Sequence, residues 1–146
     1  NIIYFDLHND KVNLKVQFFN RQSLDFDLKK SSFDDVLSKS DFITLHVPSQ
    51  KEYVIGTNEF NLMKDGVGLI NAARGGVVDE VALDKYLNEG KVSFAALDTF
   101  ENEPNPEIKL LMNPKISLTP HIGAATNEAQ DRIGIELADQ IIEILK

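Results

Sequence analysis

The sequence contains no cysteine, and it has fewer basic than acidic residues. Without cysteine the chain can form neither a disulfide nor a thiolate metal site, which suits a reducing compartment such as the cytoplasm. Its 15 Lys and Arg against 23 Asp and Glu give a net charge of -8, so we expect neither a nucleic acid nor an acidic membrane as partner. The 3 histidines lack the spacing of metal ligands, so no metal is expected.

Long apolar runs are missing as well. No run approaches the ~20 residues that cross a bilayer, and no basic start followed by an apolar stretch indicates a secretory leader. The length of 146 residues favours one domain, and 42% hydrophobic with 26% charged residues predicts a globular fold.

Short apolar runs bounded by turn residues predict buried strands. Segment 9–30 holds apolar bursts among polar residues and predicts one further strand. The clear runs are 2–5, 42–46, 67–70, 94–97 and 116–118.

Helical patterns lie between these runs, each behind a residue that can cap a first turn. Glycines at 66 and 90 are predicted to end the second and third helices. The helix over 80–89 should bury Val81, Leu83, Tyr86 and Leu87, and the last should present Ile133, Leu137, Ile141, Ile144 and Leu145. The predicted caps are Ser32 (through Leu37), Thr57 (58–64), Asp79 (80–89), and Thr126 or Asn127.

Strands that alternate with single helices predict an α/β fold with a doubly wound, Rossmann-like parallel sheet covered on both faces. Ligands bind such sheets outside the carboxyl ends of the strands. Polar residues collect there, which indicates a site independently of any family: Asp6, His46, Asn71, Asp98 and His121.

A glycine-rich phosphate loop is also lacking. Gly66-Val67-Gly68 is the only G-x-G, and it precedes a strand instead of following one. The sheet is therefore expected to be incomplete at its N-terminal βα unit. We expect the missing loop to precede Asn1 and the chain to be a piece of a larger protein, which the reading frame upstream would test.

Three motifs supply a cation, a carboxylate and an imidazole, each beside a turn residue: 71–75 (NAARG), 98–104 (DTFENEP) and 119–123 (TPHIG). Together they can hold an anionic substrate and move one proton. Their order and wording resemble the NAD-dependent D-2-hydroxyacid dehydrogenases, from about Ile2 to the end of the chain. The resemblance is greatest to the phosphoglycerate dehydrogenase branch of that family.

The resemblance implies three catalytic residues. Arg74 would grip the carboxylate and carbonyl oxygen of the substrate, and His121 would take the hydroxyl proton as hydride leaves for NAD. Glu103 would bond the other imidazole nitrogen and fix its tautomer.

It also implies a set of cofactor-binding residues. Asp6 would accept hydrogen bonds from the adenosine ribose and favour NAD over NADP. Asp98 would bond the nicotinamide carboxamide, and Gly75 and Gly76 would permit positive φ beside Arg74. The implied set is Asp6, His46, Val47, Pro48, Ala72, Ala73, Arg74, Asp98, His121, Gly123 and Ala124.

Structural alternatives stay open at this stage. Asp6 and Asp98 would also serve as ordinary turn acids, and His121 as a structural histidine. Arg74 could pair with Asp79 or Glu80 at the next helix start. Glu101 competes with Glu103, although spacing to the following proline favours Glu103.

For the whole protein, the resemblance implies oxidation of 3-phosphoglycerate, the first step of serine biosynthesis. Glycerate, glyoxylate or lactate are the sister substrates, and a corepressor-like NAD-binding scaffold or an inactive fragment are the alternative functions. The expected division is a partial NAD-binding domain at 1–125 and a C-terminal helix at 126–146 that packs toward a substrate domain. The expected assembly is a dimer or tetramer.

Overall fold

A computed structural model of the chain describes residues 1–145. Within that range, strands and helices alternate after an N-terminal hairpin. The strands are β1 (Lys11–Gln17), β2 (Ser23–Lys29), β3 (Phe42–Leu45), β4 (Val67–Asn71), β5 (Val92–Leu97) and β6 (Ile116–Leu118). The helices are α1 (Phe33–Lys39), α2 (Thr57–Leu62), α3 (Glu80–Glu89), α4 (Ile108–Leu111) and α5 (Asn127–Ile144).

Four parallel strands in the order β3-β4-β5-β6 form the central sheet, with α2, α3 and α4 as the crossovers between them. The predicted α/β class with a Rossmann-like parallel sheet is confirmed. All four strands end at the same edge because parallel strands share one direction, so the residues that follow them are brought to a common rim.

One face of this sheet carries the core. Along β3, Ile43 and Leu45 are buried while Phe42 and Thr44 are exposed, which is the alternation of a strand covered on one side. On the other face, the rings of Phe42 and Phe94 lie 5.9 Å apart. They pack over Gly68, where a Cβ would collide with both rings. We expected the sheet to be covered on both faces, but within residues 1–145 only one face is covered.

Helix α3 follows the prediction at both ends. The Asp79 side chain accepts a hydrogen bond from the N–H of Ala82, and Gly90 ends the helix in the left-handed region with a φ of 81°. Leu83, Tyr86 and Leu87 are buried as predicted, but Val81 is 78% exposed, and Glu80 and Ala82 are buried instead.

The cap of α2 was predicted one residue too late. Gly56, not Thr57, is the N-cap, and its N–H donates to Oε2 of Glu59 at 2.9 Å. Glycine has no side chain to cap the first turn, so the side-chain contact that caps this end is the bond in which Glu59 accepts from the N-cap N–H.

The N-terminal segment contradicts two strand predictions. Residues 2–5 form no strand, because β3 pairs only with β4 and no other strand within residues 1–145 lies beside them. The segment is held instead by the Phe5 ring, 5.3 Å from Phe33, and by the Ser31 N–H, which donates to the Tyr4 carbonyl. Segment 9–30 forms two antiparallel strands, β1 and β2, in place of the single strand expected.

The last helix, α5, is capped by the Thr126 side chain as expected. Its predicted apolar stripe is exposed, and Ala129 is its only buried residue within the described range. Lys146, the end of the predicted C-terminal segment, lies outside the described residues. None of the helices described is both long and apolar enough to span a membrane.

Candidate active site

The turns that follow β4, β5 and β6 are tied together at the carboxyl edge of the sheet. The N–H of Asp98 donates to the carbonyl of Asn71 at 2.9 Å, and the N–H of Thr119 donates to the carbonyl of Leu97 at 3.0 Å. The three motifs found in the sequence begin at these points. The fold thereby collects them along one rim, although they are distant in sequence.

Asn71 shapes the turn after β4. Its buried side chain accepts from the N–H of Ala73 and donates to the carbonyl of Arg74, both at 3.1 Å. The Arg74 side chain is exposed, and its Nη1 donates to the Ala73 carbonyl at 2.6 Å. The alternative pairing of Arg74 with Asp79 or Glu80 does not form among the described residues.

Gly75 is needed for close packing and not for its φ. A Cβ at this position would overlap the carbonyl oxygen of Phe100, so only glycine lets the Arg74 turn lie against the turn after β5. Of these two glycines, only Gly76 has a positive φ, with a value of 76°. The expectation of positive φ at both glycines is therefore wrong for Gly75.

Asp98 holds the turn after β6. Its Oδ1 accepts from Thr119 Oγ1 at 2.6 Å and from the N–H of Ile122 at 2.9 Å, and its Oδ2 accepts from the N–H of Gly123 at 3.0 Å. Burial opposes ionisation here, but these hydrogen bonds outweigh it and hold the pKa of Asp98 below its usual value. An ionised carboxylate thus fixes both peptides that follow His121.

Glu103 and His121 form a direct pair. Oε2 of Glu103 lies 2.8 Å from Nδ1 of His121, and Oε1 accepts from the N–H of Phe100 at 2.8 Å. The pKa of Glu103 is lowered. The hydrogen bond with His121 is the larger cause, and the bond from the Phe100 N–H is the second. Because an ionised carboxylate can only accept, Nδ1 carries the hydrogen and Nε2 is left as the proton acceptor of the neutral ring.

The backbone of His121 adopts the left-handed region, with a φ of 54°. A non-glycine residue rarely does so, and such a conformation persists where the surroundings impose it. Here the surroundings are the three hydrogen bonds of Asp98 to Thr119, Ile122 and Gly123. The His121 side chain is 42% exposed, so a ligand at the rim can reach the imidazole.

The predicted residues on the adenosine side make local contacts. Oδ1 of Asp6 accepts from the N–H groups of His8 and Asn9, and these bonds lower the pKa of Asp6. Nε2 of His46 lies 3.0 Å from Thr44 Oγ1. Asp6 and His46 take no part in the hydrogen bonds of the Glu103–His121 pair. Of the other predicted contacts, Val47 is half-buried, Ala73 is buried, and Pro48, Ala72, Gly123 and Ala124 are exposed.

Sequence reasoning missed two parts of this rim. Thr119 binds Asp98 directly, and its position two residues before His121 was the available signal. Glu80 and Glu101 exchange hydrogen bonds across two turns, and no spacing or motif indicated that contact. The competitor considered for His121, Glu101, therefore faces α3, while Glu103 faces the imidazole.

A parallel α/β sheet whose polar turns gather at the carboxyl edge of the strands has the architecture of the Rossmann-like nucleotide-binding domains. The family model of the D-isomer specific 2-hydroxyacid dehydrogenase, NAD binding domain, matches residues 4–123. The chain belongs to this family.

Individual relatives agree with the family model. The chain is 48% identical over 122 residues to D-3-phosphoglycerate dehydrogenase of Archaeoglobus fulgidus, covering 82% of this chain and 23% of that protein. A glyoxylate reductase structure from Paecilomyes thermophila matches with a TM-score of 0.69 and 43% identity, over 74% of this chain and 34% of that one.

A D-lactate dehydrogenase from Aquifex aeolicus, complexed with NAD and lactic acid, matches with a TM-score of 0.66 and 34% identity. The match covers 81% of this chain and 41% of that one. The chain thus spans well under half the length of these relatives.

Proposed function

We propose that the complete protein transfers a hydride between NAD and a D-2-hydroxy acid. The observation that carries the proposal is the 2.8 Å contact between Glu103 Oε2 and His121 Nδ1 at the carboxyl edge of the sheet. It supplies a histidine with an oriented, accessible ring and a free Nε2, which is what a general base at this edge requires. Membership of the NAD-binding family supports the same reaction.

The rim offers hydrogen-bond acceptors and small residues that suit NAD. Oδ2 of Asp6 has no partner among residues 1–145, so it can accept from the adenosine ribose hydroxyls. Oδ2 of Asp98 accepts a single bond, from Gly123, and retains a lone pair for the nicotinamide carboxamide. Ala72, Gly123 and Ala124 are exposed residues with small or no side chains, so a flat ring could approach them closely.

Bound NAD would supply the hydride acceptor. The residues of this chain would do the rest: Arg74 binds the substrate carboxylate through its guanidinium, and Nε2 of His121 takes the hydroxyl proton. Glu103 keeps the hydrogen on Nδ1 and stabilises the imidazolium that forms. In the reverse direction the same imidazolium returns the proton to the keto oxygen.

We assign 3-phosphoglycerate as the substrate, which makes the reaction the first step of serine biosynthesis. The 48% identity to a D-3-phosphoglycerate dehydrogenase supports this choice, whereas the similar structures of a glyoxylate reductase and a D-lactate dehydrogenase provide the competing substrates. A panel of 3-phosphoglycerate, glycerate and lactate oxidised with NAD, with glyoxylate reduced by NADH, decides among them by kcat/KM. A higher kcat/KM for glycerate, glyoxylate reduction or lactate would reassign the substrate.

The finer properties of the complete protein belong to the same proposal. A homodimer or homotetramer is proposed by analogy with the family. A cytoplasmic location is proposed because the sequence has no cysteine to protect or to cross-link. Light scattering of the purified protein tests the first, and imaging of a tagged protein tests the second.

His121→Asn in the complete protein tests the base. We expect kcat to fall by ~10²–10⁴-fold, the usual contribution of a placed proton acceptor. His8→Asn is the matched control, since that imidazole makes no hydrogen bond among the described residues and takes no part in the Glu103–His121 pair; only the His8 backbone N–H, which the substitution keeps, contacts the proposed site through Asp6. Turnover within a few-fold of wild type in a folded His121→Asn protein would remove the assignment.

A further inference from the structure

Two glutamates join the start of α3 to the turn after β5. The N–H of Glu80 donates to Oε1 of Glu101 at 3.0 Å, and the N–H of Glu101 donates to Oε1 of Glu80 at 2.8 Å. Each carboxyl group thus accepts from the backbone of the other residue. We name this reciprocal pair of hydrogen bonds the Glu80–Glu101 brace. Tyr53 adds a third bond, from its hydroxyl to Oε2 of Glu101 at 3.2 Å.

The brace holds a segment that carries two parts of the site. The Phe100 carbonyl lies against Gly75, directly after Arg74. The Phe100 N–H donates to Glu103, whose other oxygen holds His121. The 100–103 turn therefore contacts both the Arg74 turn and the residue that holds the imidazole, so its position sets where the two lie relative to each other. Residue 101, at the start of this turn, is the one that the brace fixes.

Glu80 is built into the protein and not left at its surface. Its residue exposure is 7%, and its Oε2 is buried without a hydrogen-bond partner in the part of the chain that the structure describes. A buried carboxyl oxygen without a partner lowers the stability of the fold. Proteins tolerate such a cost mainly where the group has a role. Helix capping does not account for Glu80, because Asp79 already caps α3.

We propose that Glu80 is a positioning residue for the Glu103–His121 pair, acting through the Glu80–Glu101 brace. The inference rests on the proposed dehydrogenase function and names a residue of that reaction which touches neither substrate nor cofactor. Without the brace, the 100–103 turn loses its fixed distance to α3. Glu103 then holds the imidazole in a wider range of orientations, and a misplacement of about 1 Å costs on the order of 10²-fold in rate.

The experiment compares three variants of the complete protein in steady-state kinetics with NAD and 3-phosphoglycerate. Glu80→Ala removes the half of the brace in which Glu80 accepts from the Glu101 N–H and leaves the reverse bond in place, and we expect kcat to fall about 10- to 100-fold with the KM for NAD unchanged. Glu80→Gln keeps an oxygen that accepts from the Glu101 N–H, and it should retain most of the wild-type kcat. Asp79→Ala is the control, because it weakens the same end of α3 without touching the brace.

The outcomes separate positioning from plain stability. A low kcat in Glu80→Ala, rescued in Glu80→Gln and absent in Asp79→Ala at a comparable drop in melting temperature, supports the proposal. Equal kcat losses in Glu80→Ala and Asp79→Ala, or wild-type kcat in a folded Glu80→Ala protein, overturn it. Should Glu80→Ala not fold, Glu101→Ala removes the other half of the brace at a half-buried side chain, and the same criteria apply to it.

His121→Asn, measured in parallel, distinguishes failure of this inference from failure of the proposed function. Activity lost in His121→Asn but kept in Glu80→Ala refutes the positioning role alone. Activity kept in His121→Asn refutes the proposed base, and the positioning role fails with it.

Discussion

The conformation of one histidine shows how the rim is built. His121 has a backbone φ of 54°, which is unusual for a residue other than glycine. The hydrogen bonds that Asp98 accepts from the N–H groups of the next two residues impose this conformation. Glu103 then fixes the ring from the other side. Two carboxylates with lowered pKa values, one on the backbone and one on the ring, therefore set both the place and the tautomer of the imidazole.

Asp98→Asn should loosen this turn. Oδ1 and Oδ2 both accept hydrogen bonds, so an amide leaves at least one N–H facing another donor. We expect a loss of about 1.5–3 kcal/mol in the free energy of unfolding at pH 7, the range for hydrogen bonds to charged groups, measured by urea denaturation. Asp139→Asn on exposed α5 is the control and should change little.

The pH dependence of that loss follows from the direction of the shift. The pKa of Asp98 is lower in the fold than its ordinary value of 3.8, so its stabilisation is present above that value. It disappears as pH falls through the lower folded pKa. The difference between wild type and Asp98→Asn should therefore shrink below about pH 3.8. A difference that stays constant from pH 7 to pH 3 would show that ionisation of Asp98 is not the source.

Glu80 predicts the opposite trend. Burial is the main cause of its raised pKa, and the charges of Glu101, Glu107 and Glu103 add to it. Because its folded pKa is raised, Glu80 contributes stability that is fully present below its ordinary pKa of 4.5 and is lost as pH rises through the folded pKa. Glu80→Gln removes this dependence. Its free energy of unfolding should exceed that of wild type at pH 8, with the excess vanishing by pH 4, in urea denaturation at both pH values.

At the scale of elements, the sequence predicted best where local pattern and packing agree. Strands β3 to β6 and helix α3 carry apolar runs ended by turn residues, and the fold uses them as such. Residues 2–5 have the same pattern but form no strand, because pairing needs a neighbouring strand and no pattern within one segment reports it. Hairpin β1–β2 has mixed polarity, with both strands mostly exposed, so its apolar bursts gave an incomplete signal.

The candidate site divides in the same way. Arg74, Glu103 and His121 stand in recognisable motifs, and the structure brings Glu103 and His121 into contact. The Glu80–Glu101 brace joins residues 21 positions apart that look like ordinary surface acids. The brace forms only because α3 packs against the turn after β5, and no local sequence pattern indicates that packing.

Gly75 is the point where two turns meet, and it supports a prediction at this scale. Gly75→Ala places a methyl group on the Phe100 carbonyl, which must move and take the 100–103 turn with it. We expect a loss of about 1–3 kcal/mol in the free energy of unfolding, the usual cost of overpacking, together with a fall in kcat. Gly134→Ala is the matched control: open space surrounds that position in α5, so stability should stay equal or rise by about 0.5–1 kcal/mol. Equal behaviour of the two variants would contradict the close packing.

At the scale of the molecule, the apolar residues of the sheet and those of α5 differ in their exposure to solvent. The sheet buries one face against its helices, while α5 carries apolar residues at helical spacing that are exposed within residues 1–145. A regular apolar stripe on a capped helix is typical of a surface that packs against protein. We therefore propose that 126–146 packs against a substrate domain in the complete protein, next to a partial NAD-binding domain at 1–125.

Leu137→Ala in the complete protein tests this arrangement. If α5 is covered there, truncation leaves a cavity and should lower the free energy of unfolding by about 2–5 kcal/mol, as for a core leucine. If Leu137 stays 54% exposed, as in this chain, the change should lie within about 0.5 kcal/mol. Glu136→Ala, one residue away on the same helix, controls for helix propensity and should be neutral in either case. Urea denaturation followed by circular dichroism separates the two results, and a neutral Leu137→Ala would mean that the stripe faces solvent in the complete protein too.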